Sequence, residues 1–130
     1  MSTAVATRNV IGGVILAIVG ANVVNAGIAI AARAMTDDLA DFGPLDPFPY
    51  IFLTTVGIIA GAVGWAVVRR RADDPAAVLR WLVPAVVLLS FVPDFFQFDR
   101  GGVVGVVALL VMHVVVAAFG VAAYRRAMPL

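Results

Sequence analysis

The chain has 130 residues, enough for one domain. Its hydrophobic fraction is 63%, its mean hydropathy +1.07 and its charged fraction 13%, about half the share usual in soluble proteins. A soluble core of this size cannot hide so much apolar surface, so the bilayer is the expected solvent; the net charge of +1 argues against a nucleic-acid partner, and the lack of cysteine excludes disulfides, thiolate metal sites and thiol redox chemistry.

Four apolar runs are long enough to cross a bilayer, which takes roughly 20 helical residues. The first is Val10–Ala32. Its 23 residues exceed the roughly 7–15 of a signal-peptide core, so it reads as a span and not as a cleaved leader, despite the small-residue "AARA" that follows. A polar loop, "MTDDLADFGPLDPFP", comes next. Its Gly43-Pro44 and Asp46-Pro47 pairs are turn signals, and it is expected to fold back compactly.

The second span is Phe48–Val68, ending in the arginine run 69–71. In "DDP", Asp74 is placed as an N-cap and Pro75 at the first helical position of the third span, residues 76–98. That span is the least apolar: Arg80 lies near its start, and Asp94 and Gln97 near its end. Pro84 should bend it, and Pro93 should kink or end it. The fourth span is Gly102–Tyr124. The expected fold is therefore all-α: one integral membrane domain over residues 1–130, built as a four-transmembrane-helix bundle.

Charge orients the bundle. Arg8, Arg69, Arg70, Arg71, Arg80, Arg125 and Arg126 fall on one side, and Arg33 and Arg100 on the other, with most of the aspartates. The positive-inside rule then puts both termini in the cytoplasm, and the expected location is the cytoplasmic membrane, multi-pass.

Small residues recur at helical spacing. Gly57 and Gly61 form a GxxxG, continued by Ala60 and Gly64; Gly13, Ala17, Ala21 and Ala29 do the same on span one. In lipid such faces let backbones approach closely, and packing within the bundle is favoured over a dedicated dimer face. Trp65, Trp81, Tyr50 and Tyr124 sit toward span ends and read as aromatic-belt anchors.

Polar residues inside the bilayer are the unusual feature. His113 is the single histidine. It lies 11 residues from Gly102 and 11 from Tyr124, about 17 Å from either end at 1.5 Å per residue, near the midplane. Gly102, Gly105, Ala117 and Gly120 share its helical face, so that face should turn inward. An imidazole there needs hydrogen-bond partners, and by depth the candidates are Asn22, Asn25 and Ser90. Ser90 can instead bond back to its own helix, and the asparagines can act as interhelical links.

Asp94 shares a face with Ser90 and Gln97 and follows Pro93. An ionised carboxylate at that depth needs a cation, an arginine or water, and Arg33, 11 residues beyond Asn22, is placed to close the top of a cavity as that partner. A position at the outer interface, paired with Arg33 or Arg100, is the plainer alternative. Asp94 and His113 are placed within one or two turns, a distance for a bridging water. One histidine and one aspartate fall short of a zinc site, a two-histidine haem needs two protomers, and no cofactor is implied.

The stretches "FGPLDPFPYIFLTTVGIIAGAVGWAVVRRR", "LLSFVPDF" and "ALLVMHVVVAAFGVAAYRR" resemble an uncharacterised family of small four-helix membrane proteins from GC-rich prokaryotes, a domain of unknown function. The resemblance implies the four-helix fold and supplies no activity. The usage of arginine and aspartate without lysine or glutamate, with much Ala, Val and Gly, agrees with a GC-rich genome.

Three functional readings follow. The first is binding or transport of a small solute or ion through an outward-facing polar cavity, with His113, Asp94, Asn22, Asn25, Ser90 and Arg33 as ligand-binding candidates. The second is an accessory or assembly subunit whose polar residues only lock helices together. The third is a membrane enzyme, for which Asp94 and His113 are the one available acid–base pair. The expected partners are the lipid bilayer and either a second copy or another membrane protein.

Overall fold

The structure is a computed structural model that describes residues 3–130, with side chains from Thr7 onward. Helix α1 is Thr3–Met35, α2 Pro47–Arg71, α3 Pro75–Ser90, α4 the single turn Val92–Phe95, and α5 Phe98–Ala127. Between α1 and α2 lie two 3-10 turns, Asp37–Leu39 and Gly43–Leu45. Four segments are long and apolar enough to cross a membrane: Thr7–Met35, Pro47–Arg71, Pro75–Phe95 and Phe98–Ala127. Four candidate spans are present, as expected, but the third ends at Phe95 and not at 98, and Phe98 opens the fourth helix.

Local chemistry sets the boundaries. Thr36 ends α1 in an extended conformation and accepts a hydrogen bond from the Asp38 N–H at 3.3 Å. Pro47 opens α2, and Ala72 leaves it in an extended conformation after three arginines. Asp74 then caps α3 as its spacing indicates: Oδ1 accepts the Ala77 N–H at 3.0 Å, with Pro75 next in line. The third span runs through Pro84 and breaks at Phe91. Pro93, with no N–H to give, belongs to the short α4 that follows. In α5 the regular helix is interrupted at Gly102, whose φ of 59° suits a residue without a Cβ.

Two apolar clusters form the core. One gathers Ala17, Ala21, Ile58, Trp65, Leu79 and Tyr124 toward the arginine-rich end. The other gathers Ala29, Ala32, Leu39, Phe42, Ala108 and Met112 toward the aspartate-rich end. The second is closed by the folded-back loop, which buries Leu39, Phe42 and Leu45. A Cβ on Gly13 would touch Ala123 and Ala127, so the N-terminal part of α1 packs beside the C-terminal end of α5.

The third span is the least covered, and Leu79 is α3's one buried side chain. The total exposed surface is 8300 Å². A folded soluble monomer of this mass exposes about 6,600 Å². Many large apolar side chains are exposed, with Leu16, Val23, Ile30, Phe52, Leu53, Leu89 and Val103 all outward. Such a surface needs lipid or another protein around it.

Two expectations about packing change. Gly61 does face a neighbour, since a Cβ there would come 2.6 Å from Tyr124 Oη, but Gly57 and Gly64 face open space. The GxxxG face is therefore split between inside and outside. Trp65 and Tyr124 are buried core residues, not belt anchors. The Tyr124 hydroxyl donates to the Ile58 carbonyl, and Trp65 Nε1–H donates to the Met128 carbonyl at 3.1 Å. The slot left at Gly61 admits the phenol ring between α2 and α5. Trp81 is exposed as a belt residue should be.

Candidate functional site

The break at Phe91 positions Asp94. In the turn that follows, the Asp94 N–H bonds the Phe91 carbonyl at 3.0 Å, and the Gln97 N–H bonds the Asp94 carbonyl at 3.0 Å. The carboxylate points inward and its side chain is 10% exposed. It is not bathed at the outer surface.

It meets His113. Nδ1 lies 2.8 Å from Asp94 Oδ2 and 2.8 Å from the Leu109 carbonyl, one turn earlier on α5. The two residues are in direct contact, with no room for the bridging water that their sequence depth indicates. From Gly102 to His113 the helix rises about 17 Å.

Two oxygen acceptors at 2.8 Å require a hydrogen on Nδ1. One N–H cannot align with both. The backbone carbonyl receives the aligned bond, and Asp94 Oδ2 has no well-aligned hydrogen bond. The Asp94 carboxyl group is thus in contact with Nδ1 without a well-aligned bond, and the second ring nitrogen is Nε2. Among the described residues no group bonds Nε2. The Phe91 ring stands edge-on to the imidazole, 6.0 Å between centroids and at 84°. The His113 side chain remains 35% exposed, on the lightly covered side of the bundle beside the third span.

The other candidates divide. Asn25 is 1% exposed and donates from Nδ2 to Thr54 Oγ1 at 3.2 Å, linking α1 to α2. Its Oδ1, like Asn22 Oδ1, is buried with no protein partner. Neither asparagine bonds His113. Ser90 does what a serine in a membrane helix commonly does, donating to its own Val87 carbonyl at 2.5 Å. Arg33 does not close a cavity over Asp94. It turns to the loop, with Nε on the Leu39 carbonyl at 3.2 Å, and one terminal nitrogen on the Phe42 carbonyl at 3.2 Å and on Asp46 Oδ1 at 2.6 Å. The loop offers three nearby acceptors, and a guanidinium with five donors takes them. Arg100 lines a shallow cleft of about 300 Å³ with Asp38, Asp41 and Pro44, and that cleft does not reach Asp94 or His113.

The pair supplies one oxygen and one nitrogen donor to any bound cation, fewer than the three or four ligands of a zinc site. Two buried amide oxygens, Asn22 Oδ1 and Asn25 Oδ1, have no protein hydrogen-bond partner. Sequence reasoning missed the partners of Tyr124 and Trp65; the glycines at 61 and 120 on two different helices were the available signal.

The model of a family of unknown function, DUF6069, matches residues 5–129 of the chain. No curated protein and no solved structure matches it.

Proposed function

The chain belongs to the DUF6069 family of unknown function, and we propose that it is a multi-pass cytoplasmic-membrane protein whose Asp94–His113 pair binds a proton or another small cation. The termini are cytoplasmic in this reading, with the arginine-rich end inside. The observation that carries it is the 2.8 Å contact between Nδ1 and a 10%-exposed carboxylate within a span. Intramembrane carboxylates are costly and mark ion or proton paths far more often than chance placement does. The imidazole relays: one nitrogen faces the carboxylate, and the other is open to exchange a proton with water or a guest.

Reconstitution into vesicles with a trapped pH-sensitive dye tests the proposal. Under an imposed membrane potential, proton flux is expected from the wild-type protein and is expected to be lost in Asp94→Asn. Wild-type vesicles as tight as protein-free ones would leave the pair structural.

A second reading, an accessory subunit, rests on a different observation. A Cβ added at Gly57 or Gly64 on α2 would meet nothing within 4 Å, so a small-residue face is left open toward lipid. Crosslinking from position 60, which lies between them on that face, distinguishes the two readings: a specific protein adduct favours assembly.

A further inference from the structure

A cleft lies away from Asp94 and His113, at the arginine-rich end between α3 and α5. Its volume is about 530 Å³, and its walls include Arg80, Val83 and Pro84 from α3 and Val121 and Arg125 from α5, with Trp65 behind. Both arginines are exposed. Arg80 lies five residues beyond Pro75, about 8 Å into the span.

The two walls share one gradient. Pro84 follows Arg80 by four residues, toward the bilayer interior. Val121 precedes Arg125 by four residues, also toward the interior, because α5 runs the opposite way. On each wall a cationic lip and an apolar floor are thus one helical turn, about 6 Å, apart. A free anion uses only the lip. An amphiphile with an anionic head and an apolar tail uses both.

The one acidic lining residue, Asp74, has Oδ1 committed to the Ala77 N–H at the start of α3. Arg69 adds positive charge nearby: its Nε donates to the Pro129 carbonyl at 2.8 Å, next to Leu130, which also lines the cleft. Beside the floor on α3, Leu82 and Val86 are exposed.

We infer that this cleft is a binding site for one anionic phospholipid, its phosphate between Arg80 and Arg125 and its acyl chains along Val83, Pro84 and Val121. Arginine suits the head because its planar fork pairs with phosphate oxygens and its stem covers apolar surface.

Native mass spectrometry of the purified full chain tests this, with phosphatidylglycerol and phosphatidylcholine of identical acyl chains as probes. The wild-type protein is expected to retain phosphatidylglycerol in preference. Each arginine should contribute about five-fold, so Arg80→Gln with Arg125→Gln should lose most of the preference. The matched control is Arg70→Gln with Arg71→Gln, which removes equal charge from the same end but outside the cleft; it should change retention less than about two-fold. All four side chains are exposed, so wild-type helicity is expected in both double variants. If the cleft double variant does not fold, the single variants R80Q and R125Q carry the test, each with its own loss. Equal retention of the two lipids, or equal loss in the two double variants, overturns the site. Full displacement of the lipid by millimolar inorganic phosphate also overturns it, since the cleft then recognises the anion alone.

Discussion

His113 Nδ1 lies 2.8 Å from Asp94 Oδ2, across the boundary between the third and fourth spans, while the same nitrogen lies 2.8 Å from the Leu109 carbonyl. Removing either side chain of the pair therefore changes the surroundings of the other. Single and double variants Asp94→Asn and His113→Gln should show a coupling of about 0.5–3 kcal/mol in a double-mutant cycle of unfolding in lipid or detergent. Additivity within about 0.3 kcal/mol would mean that the two groups do not sense each other.

Tyr124 is a packing residue that carries one buried hydrogen bond, to the Ile58 carbonyl. Tyr124→Phe keeps the ring and removes the donor. A loss of about 0.5–1.5 kcal/mol is expected, measured by steric trapping or by thermal unfolding in detergent. A belt residue at the lipid headgroups would show no such loss.

The split glycine face of α2 makes an internal control. A Cβ on Gly61 would sit 2.6 Å from Tyr124 Oη, whereas one on Gly57 meets nothing within 4 Å. Gly61→Val should destabilise the protein by about 1–3 kcal/mol through overpacking, and Gly57→Val should be close to neutral. Equal effects at the two positions would contradict the observed rotation of α2.

Much of the fold is legible in the sequence because it is local. Span length, the Asp74–Pro75 start, the folded-back loop and the interruption before Pro93 each depend on residues within a few positions of one another. Depth is legible too: counting residues along the spans brings His113 and Asp94 near enough to interact. Rotation about each helix axis is not. It decides that Trp65 and Tyr124 are buried and Trp81 exposed, although all three are aromatic residues near span ends. It also decides that Arg33 finds the Leu39 and Phe42 carbonyls and Asp46, not Asp94. The direct Asp94–His113 contact also depends on how the chain continues past the break that Pro93 signals, since α3 ends at Ser90 and Asp94 lies in the short α4 that completes the third span.

Orientation has a simple check. Single cysteines replacing Asp41 and Ala72 in the cysteine-free chain should respond oppositely to an impermeant thiol reagent in intact cells. Position 41, in the loop after α1, is expected to react, and position 72, between α2 and α3, only after the cells are opened. Labelling of position 72 in sealed cells would reverse the assignment.

The central claim is that Asp94 and His113 form one protonatable pair inside the membrane. Solid-state NMR in lipid bilayers measures it directly, because the chain has one histidine and the imidazole nitrogens give unambiguous signals. Dipolar recoupling between His113 Nδ1 and the Asp94 side-chain carboxyl carbon should report a separation of about 3–4 Å, as expected for a nitrogen in hydrogen-bond range of a carboxylate oxygen. Nδ1 should carry a hydrogen, and Asp94→Asn should remove the carboxylate signal and alter the Nδ1 shift. A separation beyond about 6 Å, with a histidine spectrum unchanged by that substitution, would contradict the account.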